Sequence, residues 1–193
     1  MSGARSALAR AFVGLVLWPL SLCAGRHFRR TRAGELHGTL TISWYRPDLF
    51  VYTPDALSPL TFTRGSGQRI IPERMYTDGG SIPRPLWLFR NYSPWGYGPA
   101  FVIHDWLFHV RACRLAGYEA WSLREAARVM SEVIKTLLQT PGFDYGSRLS
   151  MYLMYLAVQT APARAAWDFG RCLQAAPAKA ERAPDTVIQI SFP

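Results

Sequence analysis

Two short stretches of this chain place chemically capable residues close together: Asp78-Gly79-Gly80-Ser81 and His104-Asp105. Consecutive glycines permit positive φ and close approach of backbone to a ligand. Backbone N–H groups in such a turn can face an anion, or its carbonyls a cation. Asp78 adds a hard carboxylate oxygen and Ser81 a hydroxyl. An imidazole is the side chain best suited to take and return a proton near neutral pH. His104 is therefore read as a general base, and Asp105 as an ion ligand or a supporting carboxylate. Neighbours on a helix point about 100° apart, so the two are expected to serve one site without bonding each other. Both lie in an apolar run, A-F-V-I-H-D-W-L-F, where ionisable groups are uncommon and an unpaired polar group is costly. The rival reading gives the same residues a structural job, bracing the loop that precedes the helix.

Glu132 is the third catalytic candidate. With Glu125 and Arg128 it forms a polar stripe at i, i+3, i+7 on the following helix. If that helix returns antiparallel, Glu132 comes nearer the level of His104 than Glu125 does, although a solvated face is the plainer account of the stripe. Tyr152 and Tyr155 read as core residues with a wet hydroxyl rather than as site residues.

The elements that position these groups follow from hydrophobic period. Residues 35–70 mix β-prone residues (Leu36, Leu40, Ile42, Trp44, Leu49 to Tyr52) with turn signals at Pro47-Asp48, Thr53-Pro54-Asp55 and Arg64 to Gly67. Two or three short antiparallel strands are expected there. Ile82 to Gly98 is a loop rich in proline and tryptophan. From Pro99 the period becomes helical for about 12 residues, ending near Gly117. Ser122 caps a second helix whose apolar positions, Leu123 to Leu137, follow the 3–4 spacing, with Glu125 placed as in a capping box. A third helix runs from Tyr145 to Thr160. The predicted fold is thus α+β: a small antiparallel sheet, an ordered loop and a three-helix layer in one domain, residues 33–175. Residues 176–193 read as a loose tail in which Val187 to Phe192 could add a strand.

The 193 residues suit one domain with a real core, and an apolar share of 49% argues for an ordered chain. The net charge of +9 is unevenly placed. Residues 1–32 hold six arginines and no acid, which leaves 16 basic and 13 acidic residues, or +3, for the other 161. The body is therefore not expected to bind nucleic acid, and no nucleic-acid motif is present. The basic arm, residues 1–32, carries an apolar run from Ala11 to Gly25 between arginines. It is read as a membrane anchor or a poor signal. Basic flanks on both sides favour a membrane-associated protein with a cytoplasmic body, with export the alternative. Three cysteines, Cys23, Cys113 and Cys172, make no disulfide framework and no zinc site. Cys113 and Cys172 are expected as free buried thiols, paired only if the body is exported.

The series P-x4-T-D-G-G-S-I-P-R, H-D-W-L-F, A-A-R-V-M-S-E and M-Y-L-A-V resembles a phage and bacterial family catalogued as domain of unknown function 1353, over about Ile71 to Val158. That family usually carries an Ala-Asp pair on the second helix; here Ala127 stands at the Asp position, while Glu132 matches a common Glu. The resemblance implies an accessory protein of phage or prophage type. A more remote likeness is to secreted phospholipases of the A2 type, which join a glycine-rich calcium loop to a helix with H-D-x-x-Y and a helix whose acidic residue orients the His. It implies that His104 activates water, that Asp105 and Asp78 with carbonyls near Gly79 and Gly80 hold a divalent cation such as calcium, and that an ester is hydrolysed. The rival function is a non-catalytic structural or assembly protein.

Overall fold

The computed structural model describes residues 18–45, 49–77, 97–143, 146–172 and 183–193. Asp78, Gly79, Gly80 and Ser81 lie outside them, as does most of the loop before the helix that bears His104. The architecture is α+β, with helices laid against an antiparallel sheet.

The sheet has six strands: β1 (Glu35–Tyr45), β2 (Leu49–Tyr52), β3 (Thr61–Thr63), β4 (Arg69–Ile70), β5 (Met75–Thr77) and β6 (Thr186–Phe192). The order is β4-β3-β1-β2-β5, and β6 also pairs with β1. The long strand β1 is therefore shared by three partners. Leu36, Leu40 and Ile42 point from it into the core, and polar residues largely alternate with them. Gly38 has φ +88, and a Cβ there would run into the backbone of Pro59. Only glycine serves at that close approach.

Val187 to Phe192 do form a strand: β6 pairs with β1 from Gly38↔Phe192 to Trp44↔Thr186. The end of the expected loose tail thus belongs to the sheet. The sheet is also larger than expected, because two- and three-residue strands carry too little pattern to be read as strands.

Five helices lie among the described residues. They are α1 (residues 18–30), α2 (Gly98–Ala112), α3 (Leu123–Gln139), α4 (Arg148–Ala157) and α5 (Ala161–Phe169), with a short 3₁₀ turn at Tyr118–Ala120. Pro99, with its preset φ, opens α2. Ser122 caps α3 by accepting from the Glu125 N–H at 3.2 Å. The reciprocal half of that capping box is not what Glu125 does, since its carboxylate bonds Arg64 and Arg128. The full box forms on α4, between Ser147 and Ser150. The apolar face of α3 is buried as the spacing predicts, with Ala126, Met130, Val133, Ile134 and Leu137 shielded from solvent. The helix expected to reach Thr160 ends at Ala157, and a separate α5 follows, opened by Pro162.

The expected arm over residues 1–32 is not separate at its C-terminal end. His27 Nε2 lies 3.1 Å from Ser131 Oγ. Lys135 Nζ donates to the carbonyls of Phe28 at 3.0 Å and Thr31 at 2.8 Å, satisfying the last turn of α1. Ala24 is buried. The other end of the described helix is exposed at Trp18 and Leu22. Among the described residues no helix is long and apolar enough to cross a membrane.

Cys113 and Cys172 are joined in a disulfide, against the expectation of free thiols. It ties the residue after α2 to the segment after α5. The fold brings their Cα atoms to 4.6 Å, a proximity that a separation of 59 residues hides in the sequence.

Candidate active site around His104 and Asp105

Residues Ala100 to His104 are buried one after another, so this part of α2 is covered all round its circumference. A helix apolar on every side belongs in a core. Helix α3 covers one flank of α2, and β5 and α5 also pack against it. Its start is pinned from the side. The Tyr97 hydroxyl lies 2.9 Å from Ser150 Oγ, in the capping box of α4. Burial pushes the Tyr97 hydroxyl pKa up, keeping it neutral. Gly146, at φ +102, leaves room for that hydroxyl, into which any Cβ would run.

His104 is 2% exposed, and its ring packs against Phe108 with centroids 4.8 Å apart. Contrary to the expectation from helical geometry, the two neighbours do bond: Nδ1 of His104 is 3.2 Å from Oδ1 of Asp105. Rotation about the side-chain torsions closes the 100° between their Cβ directions. A carboxylate only accepts, so Nδ1 donates to it; in the neutral ring Nε2 then carries the lone pair. That Nε2 is buried and has no hydrogen-bond partner among the described residues. A buried polar atom left unsatisfied is uncommon and expensive.

Glu132 is held by Arg64. Its Oε2 accepts from Arg64 Nε at 2.7 Å and its Oε1 from Arg64 Nη2 at 2.8 Å. The same guanidinium reaches Glu125 Oε1 at 2.7 Å, and Glu125 also meets Arg128 at 3.3 Å. The carboxylate that holds His104 is thus Asp105, and both oxygens of Glu132 are taken by Arg64. Within the stripe Arg128 is exposed, whereas Glu132 is largely covered. With His27, Arg30, Thr31, Arg32 and Tyr155 the stripe lines a cleft of about 460 Å³ between α1 and α3. Arg64, read from the sequence only as part of a turn, has no signal in local pattern, since its partner Glu132 is 68 residues away.

The expected metal set is Asp78, Asp105 and the carbonyls near Gly79 and Gly80. Of these only Asp105 falls among the described residues, with a side chain 14% exposed. Among the described residues no group of three or more His, Cys, Asp or Glu is placed to hold a metal ion.

No curated protein and no solved structure matches the chain. A family model described as "Protein of unknown function (DUF1353)" matches residues 56–158, which takes in β3 to β5 and α2 to α4 together with His104, Asp105 and Glu132. The match spans more than half of the chain, and this protein belongs to that family.

Proposed function

We propose that His104 and Asp105 are the base and the orienting carboxylate of a hydrolytic site whose substrate class is an ester. The observation that supports this is the buried Nε2, without a partner among the described residues. Asp105 keeps the proton on Nδ1 and aims the lone pair of Nε2. Nε2 takes a proton from a water molecule as the water oxygen bonds to the ester carbonyl carbon. The carbon–oxygen bond to the leaving group then breaks, and the imidazolium returns the proton to the departing alkoxide. An acid and an alcohol result, and the histidine is regenerated. A divalent cation such as calcium, held by Asp105, Asp78 and carbonyls near Gly79 and Gly80, would polarise the carbonyl.

The second reading, a brace, is favoured by the 2% exposure of His104. There Nε2 serves the packing of the preceding loop and no reaction occurs. Truncation to alanine removes packing in either case, so the test uses His104→Gln, which keeps the volume, together with Asp105→Asn. In the hydrolytic reading, His104→Gln abolishes hydrolysis of short-chain nitrophenyl esters with the melting temperature held, and calcium raises that temperature by binding linkage. In the brace reading, wild type hydrolyses no ester, His104→Gln costs about 1–3 kcal/mol and chelator changes nothing.

The membrane-associated, accessory role belongs to the same proposal. Exposed Trp18 and Leu22 on a helix that also bears Arg26, Arg29 and Arg30 support attachment to an anionic lipid surface. The phage or prophage setting rests on the T-D-G-G-S-I-P and H-D-W-L-F resemblance alone. The Cys113–Cys172 bond favours a body in an oxidising compartment, against the cytoplasmic side suggested by the basic flanks. Fractionation of cells after trapping thiols with an alkylating agent tests both points. A soluble protein with Cys113 and Cys172 alkylated would defeat them.

A further inference from the structure

A second cleft, of about 500 Å³, lies between the C-terminal half of α2, the start of α3 and α5. Arg111, Arg124 and Arg164 line it with Trp121 and Trp167, and Asp168 is the one acid. None of the three arginines is in an ion pair among the described residues. Arg64, by contrast, is matched by two carboxylates. Three guanidiniums against one carboxylate give the cleft a net charge of +2, and like charges gathered without counter-ions repel. An anion entering the cleft relieves that repulsion.

The walls are firm. The Arg111 guanidinium lies 5.7 Å from the Tyr118 ring centroid and 5.9 Å from that of Trp167, within cation–π range. Trp167 is 7% exposed and meets Phe108 edge-on at 4.9 Å. The Cys113–Cys172 disulfide ties the residue after α2, two past Arg111, to the segment that leaves α5. Arg111 and Trp167 are thus held in place before any ligand arrives, which lowers the cost of binding.

We propose that this cleft binds the phosphate group of a phosphate-bearing organic ligand, with the guanidiniums on the phosphate oxygens and the carbon part along Trp121 and Trp167. The net +2 matches a phosphate monoester dianion, and planar guanidinium forks fit its oxygens in pairs. A volume of about 500 Å³ falls within the range of small-molecule pockets, about 300–1,000 Å³, and so admits an organic part beside the anion. The groups involved are distinct from the His104–Asp105 pair and from the Arg64 cluster.

The experiment titrates the full chain with phenyl phosphate, read by calorimetry and by tryptophan fluorescence. A parallel arm sediments it with phosphatidylglycerol vesicles and, as a control, phosphatidylcholine vesicles. Saturable binding of phenyl phosphate is expected, weakened about tenfold or more for each of Arg124→Ala and Arg164→Ala and unchanged by Arg69→Ala, an exposed arginine on β4. Phosphatidylglycerol binding that the same two substitutions remove, with phenyl phosphate inert, also supports the site and makes its ligand a lipid headgroup. Two results overturn the proposal: no saturable binding in either arm, or binding that Arg69→Ala weakens as much as Arg124→Ala and Arg164→Ala do.

Discussion

Arg64 shows what a single charged side chain costs once it is covered. Its side chain is 12% exposed, and Glu132 beside it is 13% exposed. The hydrogen bond that Arg64 donates to Glu132 is the main cause that holds the Arg64 pKa above its ordinary value, with Glu125 adding to it against burial. Such a cluster stabilises little relative to apolar residues of the same shape, but removing one partner strands the others. Arg64→Ala is expected to cost about 3 kcal/mol, toward the lower end for a broken buried pair, because Glu125 keeps some contact with water. Combining Arg64→Met with Glu125→Gln and Glu132→Leu should recover most of that loss in urea denaturation. A loss below about 1 kcal/mol for the single change would class the cluster with exposed ion pairs. Gly146 is a second such position. Gly146→Ala meets both a positive φ and the Tyr97 hydroxyl, so it should destabilise more than Tyr97→Phe, which gives up one hydrogen bond worth about 1 kcal/mol. Thermal melts of the two variants side by side decide this.

Among the elements, α2 and α5 depend on a covalent tie. Closing a loop between residues 59 apart restricts the unfolded chain, and a bridge of that span contributes about 2–4 kcal/mol. Reduction with dithiothreitol should therefore lower the melting temperature of the wild type and leave the Cys113→Ser/Cys172→Ser variant, already lower, unmoved. Cys23 is a free thiol and should not enter the response. An unchanged wild-type melt under reducing conditions would mean that helix packing alone fixes α5. The docking of α1 has another origin. Lys135 satisfies the open carbonyls of its last turn, so the basic segment ends as an integral helix of the body.

At the scale of the molecule, His27 and His109 contribute to the acid limb of stability. Burial lowers the pKa of His27 and of His109, the latter despite an opposing pull from Glu73. The unfolded chain therefore binds more protons than the folded one in the range below the ordinary histidine value of about 6.5. The stability these two groups support is complete above that value and is lost as pH falls through their depressed folded values. Melting temperatures measured from pH 7.5 to pH 5 should fall with acidification. His27→Gln and His109→Gln should each flatten the slope at its upper end. A melting temperature that rises on acidification over that range would contradict the assignment.

Local interactions made much of this fold legible in the sequence. The face of α3, the Ser122 cap and the opening of α2 at Gly98 and Pro99 follow from contacts within a few residues. Apolar spacing also put His104 and Asp105 together inside a covered helix. Tertiary structure decided the rest, because those choices join residues far apart in the chain. It gave Glu132 to Arg64, 68 residues apart. It also closed Cys113 onto Cys172 and set β6 beside β1. A pattern with a period of two or 3.6 residues reports which face a residue occupies. Which distant group meets that face is settled by how the layers pack, and that packing made the Arg64–Glu132 pair and the arginine-lined cleft.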